Sequence, residues 1–199
     1  IILLLIGRIP LFDTLCISFG TAGTGGFGIV NDSMGSYSTY CQVVTTIFMI
    51  LFGVNFSAYY LLLTKKFVQA FKFEEVRYYF GIILAAILVI GLNTAHLFRN
   101  LGEAFQQAAF QVGSIITTTG FSSTDFSQWP SLSKTILVLL MFVGACAGST
   151  GGGIKVSRIL ILCKAAKKEF QLYLHPNAVK KIKMDEKTIG HDIIRSTNI

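Results

Sequence analysis

Across 199 residues the sequence is 52% hydrophobic and only 14% charged, with a mean hydropathy of +0.62 and a net charge of +7. Soluble domains carry more charge and less apolar surface, so an aqueous globular enzyme is disfavoured and lipid is the preferred solvent. Nor does the positive balance point to nucleic acid, because the bases gather where apolar blocks end.

Taken in order, Ile1 to Ile9 reads as the tail of a membrane span whose beginning is missing, and Pro10 breaks it. A short helix is expected from about Leu11 to Thr21. At about 16 Å it cannot cross a hydrocarbon core of about 30 Å, so it must dip in and return. Gly20, Gly23, Gly25, Gly26 and Gly28 then supply an irregular backbone, which is tolerated at membrane depth only where it is buried or lines a wet cavity. The polar loop Ile29 to Ser38 leads back to the surface.

Charge is absent from Ser33 to Thr64, from Tyr78 to Phe98 and from Thr135 to Ile154, and each block can supply the roughly 20 apolar residues of a span. Tyr40 to Thr64 is the first, interrupted at Gly53-Val54-Asn55-Phe56. There Asn55 needs a partner, and an interhelical hydrogen bond with close packing at Gly53 weighs about evenly with a place at a constriction. Tyr78 to Phe98 is the second, with Asn93 and His96 read as interfacial. A second short helix, Glu103 to Ile116, is only about 20 Å long and cannot span either. Its carbonyl end, the negative pole of the helix dipole, points toward Thr117 to Phe121 and suits a partly dehydrated cation. Trp129 fits the membrane interface. Ser133 to Cys163 is too long for a simple span. Its glycines, Gly144, Gly148 and Gly151 to Gly153, favour a non-helical intramembrane loop over a close helix crossing.

Lys65, Lys66, Lys72 and Arg77 in one link, and Lys164, Lys167, Lys168, Lys180, Lys181 and Lys183 after the last span, make both regions cytoplasmic. The loops Val30 to Ser38 and Ser122 to Ser133 are then external, each with one acid, Asp32 and Asp125, and no base. Cys16, Cys41, Cys146 and Cys163 lack metal-ligand spacing and read as small buried residues. With no initiator Met and an abrupt end at Ile199, an internal piece of a longer protein is expected, and a signal peptide is not.

Two strings tempt toward nucleotides. Gly23-x-Gly25-x-x-Gly28 matches a dinucleotide fingerprint, but a polar loop follows where a helix should open. Gly148 to Lys155 imitates a phosphate loop, yet Ile154 separates Gly153 from Lys155 and Val156 stands in the Ser/Thr place. The stronger pattern is a duplication. Aligning Gly26-Phe27 on Gly120-Phe121 puts Thr24 on Thr118, each after a sub-spanning helix and before a polar loop and a glycine-interrupted span. Such turns suit a selectivity filter: backbone carbonyls replace an ion's hydration shell and Thr hydroxyls add oxygen at the inner edge. Phe27 and Phe121 are expected to brace the turns from behind.

These segments resemble the Trk/Ktr potassium-uptake membrane subunits, most closely the TrkH type. Ser18 to Phe27 with Asn31 to Gly35 looks like the family's second pore loop, and Phe110 to Phe121 like the third. Gly144 to Val156 is similar to its intramembrane gating loop, and Leu174 to Val179 to the link toward a fourth repeat. The resemblance implies an all-α membrane protein of repeated helix, re-entrant pore helix, filter loop and helix. It divides the chain into a second repeat (1–64), a cytoplasmic link (65–77), a third repeat (78–163) and a cytoplasmic segment (164–199). Implied with it are K⁺, or mixed K⁺ and Na⁺, as transported ion, and no covalent cofactor. Filter residues would be Thr24, Gly25, Gly26, Phe27, Thr117, Thr118, Thr119, Gly120 and Phe121, with K⁺ at the backbone of Thr24, Gly25, Thr118 and Thr119. The gate would be Gly148, Ser149, Thr150, Gly151, Gly152 and Gly153. Implied partners are the lipid bilayer, the remaining repeats, a second copy in a homodimer and a cytosolic nucleotide-binding regulatory ring of the TrkA/KtrA kind, in a bacterial plasma membrane. The rival readings are a membrane scaffold whose glycines serve helix packing without conduction, and a nucleotide-dependent enzyme.

Overall fold

A computed structural model describes residues 1–174 together with 183–184 and 187–188. Helix α1 (Ile2–Ile6) ends at Gly7, and Pro10 opens α2 (Leu11–Ala22), a position where the missing proline N–H costs nothing. Ser38 caps α3 (Thr39–Phe52) by accepting from the Cys41 amide at 3.4 Å. The chain then bends by 93° into α4 (Phe56–Leu63), whose cap is the Asn55 side chain, accepting from Ser57 N at 2.8 Å. A short α5 (Phe67–Lys72) leads to α6 (Glu74–Thr94), and α7 (Leu101–Ile116), α8 (Ser131–Phe142) and α9 (Val156–Leu174) follow. A small antiparallel hairpin pairs Lys183 with Thr188 and Met184 with Lys187.

Three spans were expected, and the structure qualifies two of them. The segment Glu74–Leu97 is long and apolar enough to cross a membrane unbroken. The expected span at 40–64 is two helices meeting at the elbow Gly53-Val54-Asn55. The one at 133–163 is α8, an irregular loop and α9. The two short helices stop where expected: α2 at Ala22 and α7 at Ile116.

Two apolar cores hold these pieces, one for each half of the duplication. The first joins Leu4, Ile9, Ile17, Met34, Cys41, Val44 and Met49, and takes in Phe110 and Phe121 from the second half. The second is built on α6, α7 and α8 through Tyr79, Ile83, Ile90, Val112, Ile116 and Leu137, and receives Val54 of the elbow and Ala58 of α4. Each half thus lends side chains to the other's core. Apolar burial stabilises by about 25 cal/mol per Å², so this exchange fixes the halves side by side. Side-chain amides reinforce it: buried Gln42 Oε1 on α3 accepts from half-buried Gln106 Nε2 at 2.9 Å and Gln107 Nε2 at 3.2 Å on α7.

Several side chains sit elsewhere than expected. Trp129 is buried against Phe98, edge to face at 6.5 Å, rather than placed at the lipid interface. Asn55 spends its side chain on its own helix cap instead of bonding a neighbouring helix. The close packing expected at Gly53 does exist, since a Cβ there would lie 2.2 Å from the Tyr79 hydroxyl. Asn93 bonds Ser133 at 2.8 Å and ties α6 to α8. Cys41 and Cys146 are buried, whereas Cys163 is exposed. The expected helix end at His175-Pro176 and most of the basic segment beyond it lie outside the described residues.

Candidate functional site

The turns that close α2 and α7 have the same backbone. Gly23 (φ −86°, ψ 1°) matches Thr117 (φ −85°, ψ −2°). Thr24 and Thr118 then take φ of 50° and 57°, and Gly26 and Gly120 take 67° and 89°. The hydrogen bonds repeat as well: Gly25 N reaches Gly20 O at 2.8 Å, and Thr119 N reaches Ser114 O at 2.9 Å. This is the glycine-type helix stop with threonine in the left-handed place. A β-branched residue there costs roughly 1–2 kcal/mol, so each threonine needs a compensating contact.

The glycine-rich segment supplies it. Val143 to Lys155 is not helical; its neck closes through Gly144 N to Ile154 O at 2.7 Å and Val156 N to Ala145 O at 3.3 Å. Its tip meets both turns. The Thr24 hydroxyl donates to Thr150 O at 3.0 Å, and the Thr118 hydroxyl accepts from Gly152 N at 2.6 Å. The elbow of the first half grips the same loop, with Cys146 N bonded to Gly53 O at 3.0 Å and Phe56 N to Gly148 O at 3.1 Å. The expected gate residues and filter residues therefore form one connected assembly.

The two turns also touch each other. A Cβ on Gly26 would lie 1.7 Å from Thr119 O, so only glycine lets the first turn approach the second this closely. Beyond the turns, Met34 N bonds Ser122 O at 2.8 Å, and Ser122 N bonds Ser33 Oγ at 3.2 Å. Ser114 Oγ fixes Phe121 O at 2.6 Å, and Thr117 Oγ1 is shared with Gly113 O and Thr119 Oγ1, both at 2.7 Å. On the side expected to be external, hydrogen bonds from Ser127 hold the Asp125 carboxyl below its ordinary range. Asp125 is then charged at neutral pH, as a cation-attracting mouth requires.

The two phenylalanines expected to brace the turns are placed differently. Phe121 is 1% exposed and seated against Gly20, while Phe27 is 84% exposed. The residues missed in the sequence are the elbow as the loop's dock and Glu75, a buried acid hidden among the charges of the link. A buried amide cluster behind the second turn was missed too. There Gln111 Nε2 donates to Thr124 O at 3.1 Å, and the Ser123 hydroxyl donates to Gln107 Oε1 at 2.5 Å.

Comparison with known proteins gives a consistent result. The family model described as TrkH, cation transport protein, matches residues 4–197. The chain is 33% identical over 193 residues to the Trk system potassium uptake protein TrkH of Salmonella typhimurium, covering 94% of this chain and 40% of the relative. It is 34% identical over 196 residues to the Vibrio parahaemolyticus protein of the same name (96% and 40%), and 32% identical over 190 residues to Trk system potassium uptake protein TrkG of Escherichia coli (94% and 39%). The crystal structure of the potassium transporter TrkH from Vibrio parahaemolyticus superposes with a TM-score of 0.92 at 32% identity, over 98% of this chain and 43% of that one. The chain thus spans about 40% of the length of these curated relatives.

Proposed function

The chain belongs to the TrkH family of cation transport proteins, and we propose that it forms two quadrants of the pore of a potassium uptake system. In this reading residues 1–64 and 78–163 are the second and third of four pore repeats, joined by the link 65–77, with 164–199 leading toward the fourth. Potassium passes the backbone oxygens of Thr24, Gly25, Thr118 and Thr119, and the loop Gly148–Gly153 narrows the path. The whole protein sits as a multi-pass dimer in a bacterial plasma membrane, with a cytosolic nucleotide-binding ring as regulator. Cotransport of Na⁺ or H⁺ is one form the uptake takes in this reading.

The observation that carries it is the convergence of two equivalent turns, each at the carbonyl end of a helix too short to span. Negative helix ends and uncharged oxygens together stabilise a cation at low dielectric without burying a counter-charge. The scaffold reading is not favoured: it accounts for glycine at helix contacts, but not for threonine held left-handed in both turns. The relatives that match are ion transporters, not enzymes.

The test is growth of a potassium-uptake-deficient bacterium on limiting K⁺ when the full-length protein is expressed. Rescue that requires K⁺ is the expected result. Membrane insertion without K⁺-dependent rescue would return the protein to the scaffold class.

A further inference from the structure

Glu75 lies in the first turn of α6 and is 3% exposed. A single carboxylate oxygen, Oε1, accepts from Ala147 N at 2.6 Å and from Ser157 N at 3.0 Å. Those amides stand at the two feet of the glycine loop. Ala147 precedes the tip, and Ser157 is the second residue of α9, where backbone donors have no partner within the helix. The charge also faces the positive end of α9's dipole. Bonds to an ionised acceptor are roughly twice as strong as neutral ones, so the feet are held harder than the tip, which rests on neutral bonds to the Thr24 and Thr118 hydroxyls and to Phe56 N.

We propose that Glu75 is the latch that ties the glycine loop to α9 and keeps it against the filter turns. This positioning role rests on the reading of Gly148–Gly153 as the gate. Because one oxygen serves both feet, α9 cannot shift along its axis without carrying Glu75 with it or losing one of the two bonds. The neighbouring Glu74 pairs with Lys164, one residue before the middle of α9, so the start of α6 and the body of α9 are joined at a second point. Displacement of α9 therefore loosens the loop first at Ser157, the longer bond, while the tip stays on the two threonines and on the elbow through Phe56 N and Gly148 O.

The experiment is amide hydrogen exchange on the purified full-length protein, with Rb⁺ flux into proteoliposomes measured per inserted protein. Glu75→Ala is expected to speed exchange in peptides spanning 147–157 by at least about a hundredfold, the loss of charge-assisted bonds to both feet, while 117–121 exchanges as before. Flux should rise several-fold, with the Rb⁺/Na⁺ ratio unchanged. Glu75→Gln keeps an acceptor oxygen but loses the charge, and its exchange at 147–157 should fall between the parent and Glu75→Ala. Unchanged exchange at 147–157 in Glu75→Ala, or equal loss of protection in Glu75→Gln, overturns the proposal. If Glu75→Ala does not fold, Glu75→Asp decides. Its shorter arm should expose one foot to exchange, and wild-type protection at both feet would overturn the latch. Exchange is read without any ion passing, so a failure of the potassium reading would appear separately, as absent flux in the parent protein.

Discussion

The turn at 23–27 and the turn at 117–121 share their dihedral angles and hydrogen bonds, yet their surroundings differ. Phe121 is packed into the other half's core while its counterpart Phe27 is 84% exposed. Gly26 is blocked by Thr119 O, but nothing lies within 4 Å of a Cβ on Gly120. The second turn uses its neighbour on one side, and the first is used by its neighbour on the other. Local sequence dictates the shape of each turn, and position in the assembly dictates what that shape touches.

The comparison is broken most severely at Gly26. Serine there would drive its Cβ into a backbone oxygen, and uptake by the full-length protein should fall at least about a hundredfold, since neither backbone can yield without losing its left-handed turn. Retained uptake would mean that the turns do not meet. Phe121→Ala should come next, at about 3–5 kcal/mol for emptying a buried aromatic site, read as a lowered Tm of the solubilised full-length protein. Phe27→Ala sharpens the contrast. A cost near zero leaves the two turns unequal in the whole protein, whereas an equal cost reveals a further unit seated on Phe27 as the second half is seated on Gly20.

Gly120→Ser should act more mildly than Gly26→Ser. Space is available, so the strain of φ 89° is the main penalty. The expected result is retained flux with K⁺ over Na⁺ discrimination reduced by about tenfold, the equivalent of roughly 1.4 kcal/mol. Unchanged selectivity in reversal-potential measurements would count against the filter assignment. Smallest is Thr118→Val, which keeps shape but removes the acceptor for Gly152 N and the local donor to Thr117 O. A two- to fivefold change in flux, with selectivity retained, is expected for the loss of the bond to the loop, a neutral hydrogen bond of about 0.5–1 kcal/mol.

Much of this was legible because it is local. Pro10 and the glycine and threonine spacing mark the helix ends, and two sub-spanning lengths with aligned Thr24 and Thr118 reveal the duplication before any contact is known. The glycine run at 148–153 announces a loop, since so many glycines disfavour a helix. What stayed hidden depends on partners distant in sequence. Nothing near Phe27 distinguishes its exposure from the burial of Phe121. Trp129 looks interfacial until Phe98 is found beside it. The break at Gly53 was readable, but not that α4 crosses into the second core. Glu75 reads as one more link charge, because its partners are 72 and 82 residues away.

The most direct measurement is diffraction from crystals of the full-length protein soaked in Tl⁺ or Rb⁺, with anomalous signal locating the ion. We expect a peak on a common axis, in direct contact with backbone oxygens of Thr24 or Gly25 and of Thr118 or Thr119. Ions found only in the outer loops, with none between the two turns, would contradict the claim that these helix ends converge to hold potassium.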